Sequence, residues 1–171
     1  IISVLDFGCG NGSLTAYLAD YFPSIKFIGA DPSPLAAKYH DLNKRENVEF
    51  IDWDDFIVSA SLDVDIVLSI EVIEHIFLPR DYVRDIKKHL RFTGSVIVST
   101  PFHGYWKNLA ISLIGGWDKH FTALWDFGHI KFWSPKTLDI LFSEEHFVNT
   151  KQCYAGRLQP FSKSMIREYT Q

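Results

Sequence analysis

A short glycine-rich stretch near the start of the chain constrains its fold most. Residues 4–12 read VLDFGCGNG, so Gly8, Gly10 and Gly12 stand at alternate positions after an apolar run. Glycine lets the backbone turn with positive φ and lets a ligand approach with no Cβ in the way. An apolar strand, a glycine turn and a helix in this order predict a ligand-binding turn of an α/β protein.

The spacing of these glycines separates one class of nucleotide from another. The dinucleotide fingerprint G-x-G-x-x-G would place its third glycine at position 13, which is Ser13. No Lys-Ser or Lys-Thr pair follows the glycines, which argues against a phosphate-cradling P-loop. The spacing therefore favours a nucleoside without phosphate, and an NAD-dependent oxidoreductase of Rossmann type stays as an alternative.

Acidic residues follow the next two predicted strands. Asp31 ends the second strand, 19 residues after Gly12, where a carboxylate can accept hydrogen bonds from both ribose hydroxyls. The run Asp-Trp-Asp-Asp at 52–55 follows the third strand, where a carboxylate could accept the exocyclic amine of adenine. Because α/β sheets bind ligands at the carboxyl ends of their strands, these groups are expected to meet at one site.

Along the whole chain, short apolar runs alternate with helical patterns, which is typical of a mostly parallel sheet. Strands are predicted at 1–7, 25–30, 47–51, 64–70, 94–100, 147–154 and 164–170, and helices at 13–22, 32–42, 79–90 and 134–142. The run 64–70 is continuously apolar, as in a central strand that is buried on both faces. The short link between the last two strands favours an antiparallel pair.

Two of the predicted helices carry clear local signals. The first has five large apolar residues on one face: Leu14, Tyr17, Leu18, Tyr21 and Phe22. The helix at 134–142 should begin with Ser134 as its N-cap and Pro135 at its first helical position.

Size and charge narrow the class of protein further. The 171 residues suit one domain. The net charge of −4 argues against nucleic acid as a partner. No apolar run approaches the roughly 18 residues of a membrane span. The two cysteines, Cys9 and Cys153, have no partner at metal-ligand spacing and make no disulfide framework, so a reducing cytoplasm is the expected location. We assign no oligomeric state.

Several of these motifs, in their order, resemble those of class I S-adenosylmethionine-dependent methyltransferases. They are VLDFGCGNGSLTAYLA, IGADPSP, VEFIDWDD and the stretch from DIVLSIEVIEHI to VIVSTP. Within that superfamily the chain is similar to the ubiquinone-biosynthesis-type O-methyltransferases. The resemblance implies a seven-stranded, mostly parallel sheet of order 3-2-1-4-5-7-6, with strand 7 antiparallel and helices on both faces. It implies methyl transfer from S-adenosylmethionine and does not specify the acceptor. We expect the acceptor to be an oxygen of a small molecule, which the aromatic-rich residues 101–133 indicate to be apolar, aromatic or sugar-like. A non-catalytic domain that binds S-adenosylmethionine is the alternative.

The resemblance also implies roles for individual residues. The methionine end of the cofactor would be surrounded by Asp6, Gly8, Gly10 and Gly12, and the nucleoside end held by Asp31, Pro32, Asp54 and Asp55. Ser69 and Ile70 would line the floor beside the sulfonium. Trp53 stands where the family usually has glycine, which leaves Asp52 as a rival for the adenine contact. His146 stands where relatives carry a glycine with a left-handed backbone, so a small local distortion is expected.

The segment EVIEH, residues 71–75, is the sharpest candidate for chemistry beyond the cofactor. If it forms a helical turn, Glu71 shares one face with Glu74 and His75. Two carboxylates and an imidazole suit Mg²⁺ or Mn²⁺. The segment also resembles the metal motif of small-RNA 2′-O-methyltransferases. That family has a further histidine downstream, to which His129 could correspond. Glu74, His75 and His129 are thus candidates for base and metal roles. The alternative is that Glu74 and His75 only hold the loop after the fourth strand.

Residues 101–133 break the alternation of strands and helices. This insertion contains nine of the chain's Phe, Tyr and Trp residues, three histidines and a Gly115-Gly116 pair that resembles a hinge. Short helices are expected within 106–114 and near 118–125. We expect a lid over an apolar acceptor, and the alternative is a satellite core under a long loop.

Overall fold

The computed structural model describes residues 2–121, 124–156 and 163–171. The strands are β1 Ser3–Phe7, β2 Lys26–Ala30, β3 Val48–Ile51, β4 Val64–Ile70, β5 Leu90–Pro101, β6 Val148–Ala155 and β7 Ser164–Thr170. The helices are α1 Ser13–Tyr21, α2 Pro34–Ala37, α3 Trp53–Val58, α4 Pro79–His89, α5 Tyr105–Leu113, α6 Trp117–Phe121 and α7 Pro135–Ser143. Short 3₁₀ turns cover Asp41–Asn43 and Ile73–His75.

The seven strands form one sheet in the order β3-β2-β1-β4-β5-β7-β6. Strands β3 to β5 run parallel along this order, and β7 is antiparallel to both β5 and β6. This confirms the predicted architecture and topology. The carboxyl ends of the parallel strands therefore share one edge, where the glycine turn and the acidic residues emerge.

The larger part of the core lies on one face of the sheet. Helices α3, α4 and α7 pack there and contribute Phe56, Ile86, Leu138 and other apolar side chains to the buried cluster. Within it, the rings of Phe142 and Tyr169 stack 4.1 Å apart. A smaller cluster on the opposite face packs under α1.

Helix α1 packs with the face that the sequence did not favour. Its buried residues are the small ones, Thr15, Ala16 and Ala19, whereas Tyr17 and Tyr21 of the predicted apolar face are exposed. Of the five residues on the predicted apolar face, Leu18 packs against the smaller cluster, and the two tyrosines do not pack on the sheet. Small residues let the helix approach the sheet closely, and the large rings cannot fit in that gap.

Strand β4 is central, as predicted, but only one of its faces is fully covered. Val67 and Ser69 are buried on one face, while Ile66 and Leu68 on the opposite face are half-buried. The helix on that side, α1, packs mainly against β2 and β3 and leaves β4 partly open.

Helix boundaries follow the local signals with one exception. Ser134 caps α7 in a capping box with Thr137, and Pro135 is its first residue, as predicted. His146 has a φ of 67°, the left-handed backbone expected where relatives carry glycine. The predicted helix at 32–42 is instead α2 followed by the separate 3₁₀ turn. No described helix has the length and apolar character needed to cross a membrane.

Candidate cofactor and acceptor site

The glycine turn between β1 and α1 has three left-handed residues. Gly8, Gly10 and Gly12 have φ values of +86°, +55° and +81°. A Cβ on Gly8 would lie 2.6 Å from Val72, and one on Gly12 would lie 2.5 Å from the ring of Phe50. A Cβ on Gly10 would meet nothing within 4 Å among the described residues. Packing thus requires the outer two glycines, and the middle one presents open backbone to a ligand.

Asp31 ties this turn to the end of β2. Its Oδ2 accepts a hydrogen bond from the Gly10 amide at 2.8 Å, and its Oδ1 accepts one from the Ser33 amide at 2.8 Å. Both oxygens keep a further lone pair, because a carboxylate oxygen can accept two bonds. Asp31 therefore fixes the turn and can still accept hydroxyl groups.

A cavity of about 460 Å³ lies beside Asp31 at the carboxyl ends of β2 and β3. Its lining residues are Asp31, Pro32, Ser33, Pro34, Ala37, His40, Asp41, Phe50, Ile51, Asp52, Trp53 and Asp54. Asp55 is not in this set of described residues. Four of these residues are acidic, Asp31, Asp41, Asp52 and Asp54, and none is Lys or Arg. This lining suits a ligand with hydroxyl and amine donors and disfavours a phosphate.

The three acidic residues after β3 are not equivalent. Asp52 is the N-cap of α3, and its Oδ1 accepts the Asp54 amide at 3.0 Å. Trp53 stacks on Phe56 and lies edge-on to Phe7, so its ring belongs to the core as well as to the cavity wall. With Asp52 used as a cap, Asp54 has the freer carboxylate at this edge.

Two of the predicted cofactor residues lie behind the turn. Asp6 is buried and accepts a bond from the Thr15 hydroxyl at 2.6 Å, and burial raises the pKa of its carboxyl to about 6. The Ser69 hydroxyl donates to the Phe7 carbonyl and accepts from the hydroxyl of Tyr82 at 2.6 Å. Their side chains therefore support the scaffold. Ile70, at the end of β4, is half-buried.

A second group of polar side chains forms after β4. The amides of Ile130 and Lys131 both donate to the Glu74 carbonyl, at 3.0 and 3.1 Å, and the Trp133 indole donates to the Ile73 carbonyl. These bonds attach the end of the insertion to the turn at Ile73–His75. They bring His129 next to Glu74, a contact that residue spacing alone could only suggest.

Glu74, His75 and His129 offer ligand atoms that all lie within 4.8 Å of one another. His129 Nε2 is 4.0 Å from Glu74 Oε1, and the two imidazole rings are 4.9 Å apart. Both histidines are exposed, whereas Glu74 is 1% exposed. Three predicted residues of this group are thus brought together.

The buried carboxyl of Glu74 is unusual because neither of its oxygens has a hydrogen-bond partner among the described residues. Burial, together with the charge of Glu71, raises the pKa of Glu74 to about 7. Burial, and then the neighbouring His75, lowers the pKa of His129. A buried carboxylate without a partner is costly, so this group calls for a cation or a proton.

Glu71 does not share a helical face with these residues. The 3₁₀ turn begins only at Ile73, and Glu71 has a φ of 56°. Its amide is still bonded to the Ser99 carbonyl of β5, and the Ser99 hydroxyl donates to its carboxylate at 2.7 Å. The predicted helical turn from Glu71 was therefore wrong, because the residue remains attached to the neighbouring strand.

The insertion forms the two short helices that were expected, α5 and α6, and neither has a buried residue. A cluster of rings packs between them and the following segment, where Phe121 contacts Trp117, His103 and Phe132 at centroid distances of 4.6 to 5.8 Å. Burial lowers the pKa of His103 to about 4. Residues 122–123 of the insertion lie outside the described residues. Some of the aromatic residues thus form a small satellite cluster, while Phe102 and Trp133 join the main core and Tyr105 and Trp106 of α5 are exposed.

Sequence reasoning missed three residues at the glycine turn: His40, Asn43 and Phe50. His40 and Asn43 bond to carbonyls of the turn from a segment 30 residues away, and Phe50 packs under Gly12. A histidine and an asparagine in a polar loop carry no spacing signal, so only the folded chain identifies them.

The strand order, the glycine turn and the acidic cavity together define a Rossmann-like methyltransferase domain. Residues 2–152 match a family model described as a methyltransferase domain, and the chain belongs to that family.

Curated relatives include ubiquinone biosynthesis O-methyltransferases. The enzyme of Bradyrhizobium diazoefficiens is 28% identical over 159 residues, which cover 88% of this chain and 60% of the relative. The enzyme of Rhodopseudomonas palustris BisA53 is 27% identical over 159 residues, which again cover 88% of this chain and 60% of the relative. The chain thus spans 60% of the length of these relatives.

Solved structures support the fold. The apo form of the S-adenosylmethionine-dependent methyltransferase SibL superposes with a TM-score of 0.75 at 19% identity, covering 99% of this chain and 50% of SibL. An S-adenosylmethionine-dependent methyltransferase from Anabaena variabilis superposes with a TM-score of 0.68 at 16% identity, covering 99% and 76%.

Proposed function

We propose that this methyltransferase domain transfers the methyl group of S-adenosylmethionine to a hydroxyl of a small apolar, aromatic or sugar-like acceptor. The observation that carries the proposal is the acidic, nucleoside-sized cavity, which Asp31 links to the open backbone of Gly10. The O-methyltransferase names of the curated relatives support oxygen as the attacked atom.

The two ends of S-adenosylmethionine, its nucleoside and its methionine, would fit the cavity and the glycine turn. Asp31 would accept the ribose hydroxyls, Pro32 would lie beside the adenine, and Asp54 would accept its amine. The methionine end would lie against the turn at Gly10, where no Cβ intervenes. Asp6, Gly8, Gly12 and Ser69 would support this position from behind, Ile70 would contribute to the floor, and Asp55 would have at most an indirect role. When bound, S-adenosylmethionine supplies an electrophilic methyl carbon on its sulfonium.

A divalent cation fits the group formed by Glu74, His75 and His129. Two imidazoles and a carboxylate are ligands that Mn²⁺ accepts. Mg²⁺ would need additional oxygens, and Glu71 is a candidate because its charge acts on both Glu74 and His129. The unpartnered carboxylate of Glu74 supports such an occupant. A cation held there would lower the pKa of an acceptor hydroxyl.

The residues themselves would position the acceptor and remove its proton. With no cation bound, the lowered pKa of His129 favours its neutral imidazole, which can take the hydroxyl proton as the acceptor oxygen is methylated. His75 and Glu74 are the neighbouring groups to which that proton can pass. The insertion would close over the acceptor and exclude water.

The test is a turnover assay with isotopically labelled S-adenosylmethionine and a panel of phenols, catechols and sugars. Glu74→Gln and His129→Asn should each lower kcat by about 100-fold or more. The control is His120→Asn, another histidine of the insertion, which should keep most of the activity.

A metal scan belongs to the same experiment. Chelation should abolish turnover, and Mn²⁺ or Mg²⁺ should restore it. If chelation changes neither activity nor metal content, the cation is excluded and the histidines alone must serve as base. If S-adenosylmethionine binds and none of the acceptors turns over, the non-catalytic alternative is favoured.

A further inference from the structure

We propose that His40 and Asn43 are positioning residues that hold the glycine turn in its cofactor-binding shape. The inference rests on the proposed cofactor site and adds two residues to it. Both belong to the segment between α2 and β3, which folds back over the turn.

The first contact is at the carbonyl of Gly10. His40 Nε2 lies 2.9 Å from this oxygen. Because a carbonyl can only accept, Nε2 must carry the proton and donate it. Asp31 holds the amide of the same residue at 2.8 Å. Gly10 is thus fixed from both its amide and its carbonyl by side chains that come from outside the turn.

The ring of His40 is itself held in place. It stacks on the ring of Phe50 with a centroid distance of 4.3 Å and an interplanar angle of 12°. The Phe50 ring is the group that a Cβ on Gly12 or Gly29 would strike, at 2.5 and 2.7 Å. The imidazole, the phenyl ring and the glycine backbone therefore form successive packed layers.

The second contact is at the next residue of the turn. Asn43 Nδ2 donates to the Asn11 carbonyl at 2.8 Å and also approaches the Tyr39 carbonyl at 3.3 Å. Consecutive carbonyls of the turn, those of Gly10 and Asn11, are thus bonded to side chains of one short segment. This segment also contributes His40 and Asp41 to the cavity wall.

The consequence is a preorganised turn. Glycine has more backbone freedom than any other residue, and ordering it costs conformational entropy. Hydrogen bonds from His40 and Asn43 order the turn during folding, so the cofactor does not have to order it on binding. Their loss should therefore weaken cofactor binding and leave the transfer step at saturating cofactor nearly unchanged.

The experiment compares two substitutions that separate the hydrogen bond from the stacking. His40→Gln keeps a donor near Gly10 and loses the ring, whereas His40→Phe keeps a ring on Phe50 and loses the donor. The control is Leu42→Ala, because Leu42 lies between the two positioning residues and its side chain is exposed. Dissociation constants for S-adenosylhomocysteine are measured by calorimetry, together with hydrogen exchange of the amides at 8–12.

We expect His40→Phe to weaken binding about 10-fold and to speed exchange at the turn, since a tenfold change is about 1.4 kcal/mol, the upper end for one hydrogen bond. Asn43→Ala should do the same to a smaller degree. His40→Gln and Leu42→Ala should stay within about threefold of the wild type. The kcat at saturating cofactor should stay within about twofold in all folded variants.

The inference is overturned if folded His40→Phe binds as tightly as the wild type, if His40→Gln loses as much as His40→Phe, or if kcat falls while affinity holds. If the wild-type protein itself binds no S-adenosylhomocysteine, the proposed function fails instead. The hydrogen-exchange comparison then still tests whether the two residues order the turn.

Discussion

The glycine turn and the insertion at 101–133 follow parallel strands of the same sheet and are built in opposite ways. In the turn, side chains from β2, β3 and the segment after α2 fix the backbone at several atoms. In the insertion, helices α5 and α6 bury no residue and are held mainly by one small cluster of rings. The proposed cofactor side of the site is therefore preformed, whereas helices α5 and α6, on the proposed acceptor side, are only loosely attached to the scaffold.

The largest expected effect comes from removing the loosely attached part. Replacing residues 104–127 by a short Gly-Ser linker should lower turnover by about 1,000-fold or more, because the acceptor loses its positioning. The dissociation constant for S-adenosylhomocysteine should change by less than about threefold, since the residues that line the cavity are retained. Activity and calorimetry on the same folded sample check both. A loss of cofactor affinity would instead place the insertion in the nucleoside site and remove the contrast between the regions.

A glycine substitution in each region compares their packing directly. Gly12→Ala adds a Cβ 2.5 Å from Phe50 to a backbone with φ of +81°, and should cost about 3 kcal/mol of unfolding free energy. Gly115→Ala in the insertion has a similar φ of +63° and no atom within 4 Å among the described residues, so it should cost about 1 kcal/mol. Urea unfolding measures both. Equal costs would mean that the turn is no more tightly packed than the hinge.

These contrasts also indicate what the sequence could predict. The glycines, Asp31 and the acidic residues after β3 were predictable, because strand ends of an α/β sheet meet at one edge. The start of α7 was predictable because Ser134 and Pro135 act locally. The strand order came from the family resemblance, since alternation alone does not order seven strands.

Other features depend on contacts that no local pattern contains. Helix α1 has its large apolar residues on one face, but it packs on the sheet mainly through Thr15, Ala16 and Ala19. Glu71 was expected in a helical turn, but it has a left-handed backbone and its amide is bonded to Ser99 of the next strand. His40 reaches Gly10 across 30 residues. In each case tertiary packing overrides the local preference.

The pH dependence of the unfolding free energy should differ between the core and the insertion, and this effect is smaller than the two above. Burial lowers the pKa of His89, which stacks on Phe56 in the core, and of His103, in the insertion, each from 6.5 to about 4. Between these values the unfolded chain binds more protons than the folded one, so stability is lost as pH falls from 6.5 toward 4. For His89 the loss should be about 2 kcal/mol between pH 7 and 4.5. For His103 the loss of stability should be under about 1 kcal/mol, because local opening of the insertion can expose the imidazole to water and let it bind a proton without global unfolding.

The measurement is urea unfolding at the two pH values for the wild type and two variants. His89→Phe should remove most of this pH dependence, whereas His103→Phe should leave it nearly intact. The opposite ranking would show that the insertion unfolds together with the core and is not loosely attached.

The most direct test of the account is a calorimetric titration of the wild type and Asp31→Ala with S-adenosylhomocysteine and, separately, with NAD⁺. We predict one site for S-adenosylhomocysteine in the micromolar range, about 10-fold or more weaker in Asp31→Ala, because the variant loses both the ribose contact and the bond to Gly10. NAD⁺ should not bind at about 1 mM, because its pyrophosphate would face the acidic cavity. Tight binding of NAD⁺, or affinity for S-adenosylhomocysteine that does not depend on Asp31, would contradict the assignment of this turn to a phosphate-free nucleoside.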